Sequence, residues 1–199
     1  MGNSPALPPF LPMDGVKGTG YMNSISIPNG KSVWTQINVE FTGGYYFIEV
    51  GIAVDRCYDP TQGWYNNYYY YYVTTDSSGQ TVRGLGQYSP GTATNFKIEY
   101  DRQEGSTYFW KITAGSNTYT PGGRTWNPSN ASSSNSQIES TCNINAPVDT
   151  IVLGWTNLQY KPNNVWTDWW NSHRAQGKDT PNYNCIRVSD TAYNGKIVP

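Results

Sequence analysis

Residues 45–75 read YYFIEVGIAVDRCYDPTQGWYNNYYYYYVTT, and the first ten of them alternate without a break. Ile48, Val50, Ile52 and Val54 leave one side of an extended chain, and Tyr45, Phe47, Glu49, Gly51 and Ala53 leave the other. A period of two is what a β-strand imposes, because successive side chains point to opposite faces of a sheet. The apolar set marks a core face. The other set puts a carboxylate, Glu49, between aromatics and a glycine. After a turn at Asp59–Gly63 a second run follows, with Trp64 and six tyrosines. The segment therefore predicts two neighbouring strands with an acid and an aromatic surface side by side.

The rest of the chain agrees with an all-β reading. It is poor in Lys, Glu and Leu and rich in Tyr, Asn, Ser, Thr, Gly and Trp, a mix that disfavours helix and favours strands joined by polar turns. At 199 residues a single domain is expected. Residues 1–18, rich in Pro and Gly, read as an extended segment laid over the sheet by Leu7, Phe10 and Leu11, with one domain over 19–199. Strands are expected at Tyr21–Ile27, Val33–Phe41, Gln80–Gly84, Asn95–Asp101, Thr107–Ala114, Thr118–Thr120, Ser136–Cys142, Asp149–Tyr160 and Cys185–Val188. Asn29-Gly30 is a two-residue hairpin signal, and Gly43-Gly44, Ser77-Ser78-Gly79 and Ser89–Thr92 are further turns. Pro121–Asn135 reads as a long loop. Trp166–His173 is the one stretch with helical character, a turn or two at most. This spacing, without βα alternation, predicts a two-sheet antiparallel β-sandwich of jelly-roll type with at most one short helix.

Charge narrows the partners. Only 14% of residues are charged and the net charge is −1, so no basic face exists for nucleic acid. No apolar run is long enough for a membrane-spanning helix. The N-terminus has no signal-peptide features and reads as a mature chain behind an added Met. Weak charge with abundant hydroxyls, amides and rings suits a secreted, monomeric protein that meets a neutral polymer such as a polysaccharide or cell-wall polymer. Cys57, Cys142 and Cys185 fit no zinc spacing, and His173 is the sole histidine, so no metal or cofactor is expected. One disulfide with a leftover thiol, or three free thiols, are both open readings in an oxidising compartment.

Two sets of residues could carry function. In SQIESTC the period of two puts Gln137, Glu139 and Thr141 on one face. If that strand shares a sheet with Glu49, then Glu49 with Gln137 or Glu139 forms an acid–amide or acid–acid pair. Such a pair can activate a water or protonate a leaving group, and paired carboxylates are also the machinery of glycoside hydrolysis. The second set is aromatic: Tyr45, Phe47, Trp64, Tyr68 and Tyr70 could stack on sugar rings or hold peptide side chains.

The order of these features resembles a known family. Ile48-Glu49-Val50-Gly51-Ile52 is followed by Cys57-Tyr58-Asp59, then by Trp64–Tyr72. After these come Pro90–Tyr100, a hairpin through Trp110, and Ser136–Cys142. Over residues 45–160 this resembles the two-sheet sandwich of the glutamic peptidases (eqolisins), within the concanavalin-A-like lectin/glucanase group, and suggests a secreted bacterial relative. The resemblance implies a catalytic Gln on the first strand and a Glu on the later one. Here Glu49 stands at the first position and Gln137 at the second, with Glu139 two residues on, so the dyad is exchanged or lost. The leading expectation is therefore a secreted lectin-like module that binds glycan or cell-wall polymer through an aromatic concave face. The alternatives are a glutamic-peptidase-like or glycosidase hydrolase using Glu49 with Glu139 or Gln137, and a structural extracellular protein without a ligand.

Overall fold

The computed structural model describes residues 2–5, 13–43, 45–140, 151–168, 174–176, 183–189 and 192–197. Its strands are β1 (Gly2–Pro5), β2 (Met13–Met22), β3 (Ser32–Phe41), β4 (Tyr46–Asp59), β5 (Gly63–Asp76), β6 (Gly79–Gln87), β7 (Thr94–Glu104) and β8 (Thr107–Ala114). They continue with β9 (Asn117–Tyr119), β10 (Gly122–Gly123), β11 (Ala131–Ser140), β12 (Ile151–Pro162), β13 (Thr167–Asp168), β14 (Arg174–Gln176), β15 (Tyr183–Ser189) and β16 (Ala192–Ile197). One sheet runs β14-β1-β11-β3-β4-β5-β6 and the other β10-β8-β7-β2-β12-β16-β15, with β9 beside β8 and β13 beside β12. Neighbours are antiparallel throughout, so the fold is the expected two-sheet antiparallel sandwich.

The alternating rows do what their period demands. Ile48, Val50, Ile52 and Val54 are fully buried, as are Val33, Ile37 and Val39 of β3. They meet Val16, Phe96, Ile98, Trp110, Ile112, Trp155 and Leu158 of the second sheet in one continuous core. Thr35 is the polar exception on the core face of β3. Its hydroxyl accepts the indole N–H of Trp155 at 2.7 Å, so both polar groups are paired across the sandwich. On the remote face, Ala53, Tyr71 and Val73 form a smaller apolar cluster with Trp34, Phe47 and Tyr69 around it. The two central strands β3 and β4 are thus covered on both sides.

The hairpins at Gly43, Asp59–Gly63 and Ser77–Gly79 form as expected, and β7, β8 and β9 make the expected meander. Asp59 closes its turn by accepting the backbone N–H of Thr61 at 2.7 Å and of Gln62 at 3.0 Å.

Several expectations need correction. The extended N-terminal segment is not separate from the domain over its whole length, because β2 begins at Met13 and buries Met13 and Val16 in the core. Leu7, Phe10 and Leu11 lie outside the described residues. Asn29-Gly30 does turn the chain, with Gly30 at φ +71°, but it closes no hairpin. β2 pairs with β7 and β12 in the other sheet, so residues 23–31 carry the chain from one sheet to the other. The long loop ends sooner than its composition suggests. A 3₁₀ turn at Pro128–Asn130 leads directly into β11, whose serines fit where the strand packs tightly. Ser134 and Ser136 are fully buried, and Ser134 Oγ donates to the Asn38 carbonyl at 2.7 Å. Of the stretch expected to be helical, Thr167–Asp168 is strand and residues 169–173 lie outside the described residues. A further strand that the pattern did not predict, β16, contains Asn194-Gly195. Cys57 is a free thiol, and Cys142 lies outside the described residues.

Candidate active site

The site is built on the face of the first sheet that looks away from the core. Backbone register fixes a grid across β11, β3, β4 and β5. One row is Asn135, Asn38, Glu49 and Val73; the next is Gln137, Gln36, Gly51 and Tyr71; the third is Glu139, Trp34, Ala53 and Tyr69. All twelve backbone positions have one parity in the register. The backbones of Glu49, Gln137 and Glu139 thus lie in one sheet, with β3 between β4 and β11.

Gly51 sits at the middle of the grid, where its lack of a side chain matters twice. A Cβ there would lie 2.0 Å from the Thr35 carbonyl oxygen, so β3 and β4 can approach only with glycine. The open space above Gly51 also lets Tyr71 lean over β4 from β5. Its hydroxyl donates to Gln36 Oε1 on β3 at 2.9 Å. Gln36 is 1% exposed and Asn38 is buried beside it, so the centre of the grid is a desolvated patch of amides next to a carboxylate. Buried amides persist only where hydrogen bonds satisfy them, and both residues are hydrogen-bonded or otherwise engaged.

Glu49 is 9% exposed and borders two cavities that meet at Phe47. One, of about 540 Å³, is lined by Asn38, Glu40, Thr42, Tyr45, Phe47 and Ser132. The other, of about 370 Å³, follows β4 past Trp34, Ala53, Tyr69 and Tyr71 to Asp55. At its far end the Tyr69 hydroxyl donates to Asp55 Oδ2 at 2.7 Å. Burial, reinforced by Asp55, pushes the Tyr69 phenol well above its ordinary pKa, so it remains a donor. Among the described residues no three His, Cys, Asp or Glu side chains gather as a metal site requires.

The aromatic set does not converge. Tyr68 is 8% exposed and Tyr70 half-buried, and both face the core. Tyr70 packs edge-on against Tyr88 and Phe96. The reason is parity: in β5 the even-numbered residues point inward and Tyr69 and Tyr71 point to the site. Trp64 is 41% exposed but lies beside Tyr58 at the far end of the β4–β5 hairpin. Tyr58 is eleven residues from Phe47 on β4, roughly 36 Å at the rise of an extended strand. Of the five expected contact residues, Tyr45 and Phe47 border a cavity that Glu49 also lines. Sequence reasoning missed Gln36 and Asn38 as site residues. Their alternation was visible, but polar residues on an outward face carry no mark of burial until the register is known.

No family model matches the chain, and no curated protein sequence does either. Solved structures do. The chain is similar to Scytalido-glutamic peptidase in crystals with a peptide-based transition-state analogue, at TM-score 0.61 and 10% identity over 99% of this chain and 97% of that one. It is equally similar, at TM-score 0.61 and 10% identity, to an eqolisin-family peptidase in complex with the tripeptide Ala-Ile-His, over 99% of this chain and 96% of that one. The fold is therefore that of the glutamic peptidases. At this identity the likeness speaks for the fold alone.

Proposed function

We propose that this protein is a peptide hydrolase of glutamic-peptidase type in which the order of the acid and the amide is exchanged: Glu49 is the carboxylate and Gln137 the amide. The observation that carries this reading is the register. In the backbone register Gln137 and Glu49 flank β3, offset by two residues, and Glu49 borders two open cavities. Two interstrand spacings and that offset put their backbones roughly 12 Å apart, a span that two long side chains, a water and a scissile amide can fill. Glu139 is four residues from Glu49 along the grid, a backbone separation of roughly 17 Å, so Gln137 is the nearer of the two expected partners.

In the proposed reaction, ionised Glu49 takes a proton from a water as its oxygen attacks the scissile carbonyl carbon. The Gln137 amide donates to the oxyanion that forms. Glu49 then returns the proton to the leaving amine as the C–N bond breaks. The likeness in fold to peptidases that hold a transition-state analogue supports this reading. The lectin-like reading loses support because Tyr68 and Tyr70 face the core. We also place the enzyme outside the cell, on its weakly charged, hydroxyl- and amide-rich composition.

The test is cleavage of a mixed peptide library, read by mass spectrometry from acid to neutral pH. The wild type should cleave. Glu49→Gln should lose at least ~100-fold in kcat/KM, the scale of general acid–base catalysis, and Gln137→Ala about 100- to 1000-fold, the scale of one oxyanion donor. The double exchange Glu49→Gln with Gln137→Glu restores the family's order and should regain activity over either single variant. Undiminished cleavage by Glu49→Gln, or no cleavage by the wild type, would rule out the proposal.

A further inference from the structure

A second polar site lies at the open rim between the two sheets. In β5, Tyr71 points to the candidate active site and Tyr72 to the opposite side, toward the second sheet. Tyr72 is 1% exposed, and its hydroxyl has no well-formed hydrogen bond, with the Tyr119 hydroxyl beside it. Directly across from it on the edge strand β6 is the exposed Arg83, which lines the same cavity. Tyr119 of the second sheet stacks on Tyr72 with ring centroids 4.8 Å apart and closes the far wall. Between them is a cavity of about 230 Å³, to which Thr74 and Thr81 add hydroxyls.

We infer that this crevice binds a small oxyanion, a carboxylate or a phosphate, through the Arg83 guanidinium and the Tyr72 hydroxyl. A buried donor without an acceptor is costly and rare, and a planar guanidinium is built to meet two oxygens at once. An anion between them would give the buried Tyr72 hydroxyl an acceptor and the Arg83 guanidinium a counter-charge. Burial, with Tyr119 beside it, holds the Tyr72 phenol well above its ordinary pKa against the opposing pull of Arg83, so the hydroxyl keeps its proton to donate. Asp76 is the acid among the described residues that line the cavity, and its Oδ1 accepts the Ser78 backbone N–H at 2.7 Å. Asp76 lines the same cavity, four residues along β5 from Tyr72, so the anion would sit at the Tyr72–Arg83 end of it. The volume suits a single small ligand and not a polymer.

Thermal unfolding of the full chain is followed while inorganic phosphate or N-acetylglycine is titrated at constant ionic strength, with chloride as the control. The expected result is a saturable rise in Tm with one or both probes and none with chloride, the rise being lost in Arg83→Gln and reduced in Tyr72→Phe. Phosphate alone or the carboxylate alone would identify the source of the oxyanion. Tyr72→Phe should fold and, without anion, be at least as stable as the wild type, because it loses an unpaired hydroxyl. No saturable rise with either probe would overturn the inference. So would an equal rise in Arg83→Gln, which would mark a general salt effect on the folded state.

Discussion

At the scale of single residues, Gly51 decides the geometry of the candidate site more than any charged group does. Glu49 could be picked out from the sequence because strand parity separates it from Ile48 and Val50. What could not be read there was its distance from any partner, since spacing along a chain says nothing about which strands pair. The pairing of Asn38 with Glu49 and of Gln36 with Gly51 supplies that distance. Gly51 then lets Tyr71 reach Gln36 across β4. A methyl group at this position meets backbone at 2.0 Å and 2.8 Å, and neither contact belongs to a flexible side chain. Gly51→Ala should therefore destabilise the protein by about 3 kcal/mol, the upper part of the range for forced overpacking. Urea unfolding would show a lower midpoint with an unchanged slope. Were the variant to retain wild-type stability, β3 and β4 would not be held as closely as the register implies.

At the scale of elements, the tyrosines of β5 divide between two tasks, and the sequence could not say which tyrosine had which. A run of five consecutive tyrosines has no hydrophobic contrast, so only the partner strand sets the faces. Tyr68 falls inward and ties down the segment that crosses between the sheets. Its hydroxyl accepts the Ile25 backbone N–H at 3.0 Å, and Asn66 Nδ2 donates to the Ile25 carbonyl at 2.8 Å. Tyr88 does the same a few residues away, accepting the Met22 N–H at 2.8 Å and holding its single proton between the Met22 and Thr92 carbonyls, each at 2.9 Å. Outside the ladders these side chains take the place of strand partners for the crossing backbone. Tyr68→Phe keeps the ring and orphans a buried N–H, so it should cost about 1–3 kcal/mol. The loss would be read as a lower denaturation midpoint, with peptide cleavage by the folded fraction unchanged. A fall in cleavage per folded molecule would instead return Tyr68 to the binding surface. The strands β4, β7, β8 and β12 were visible in outline because their apolar positions alternate. β11 was masked at its start by serines, which serve a tight interior as well as they serve a loop.

At the scale of the whole molecule, the two outer faces are finished differently. The first sheet covers its outer face with Trp34, Phe47, Tyr69 and Tyr71 around the candidate site, whereas the second sheet uses charge. Glu99 on β7 accepts Lys161 of β12 at 2.6 Å, across the intervening β2, and Lys97 of its own strand at 2.8 Å. Lys161 and Lys17 also lie over the Trp166 ring, at 5.7 Å and 4.4 Å from its centroid. No sequence pattern announces such a cluster, because β7 and β12 are brought together only by sheet order. Burial alone would raise the Glu99 pKa, but the hydrogen bonds and charges of Lys161 and Lys97 outweigh it and hold the carboxyl below its ordinary value. The sign of the linkage follows. Glu99 binds its proton less readily in the folded chain than in the unfolded one. Its stabilising contribution is complete above the ordinary glutamate pKa of about 4.3 and is lost as pH falls below that toward the folded value. Glu99→Gln should be less stable than the wild type at neutral pH. The two denaturation curves should converge as the solution is acidified through that window. A stability gap that stays constant with pH would mean that Glu99 contributes through packing and neutral hydrogen bonds, and that its charge does not help to hold β7 to β12.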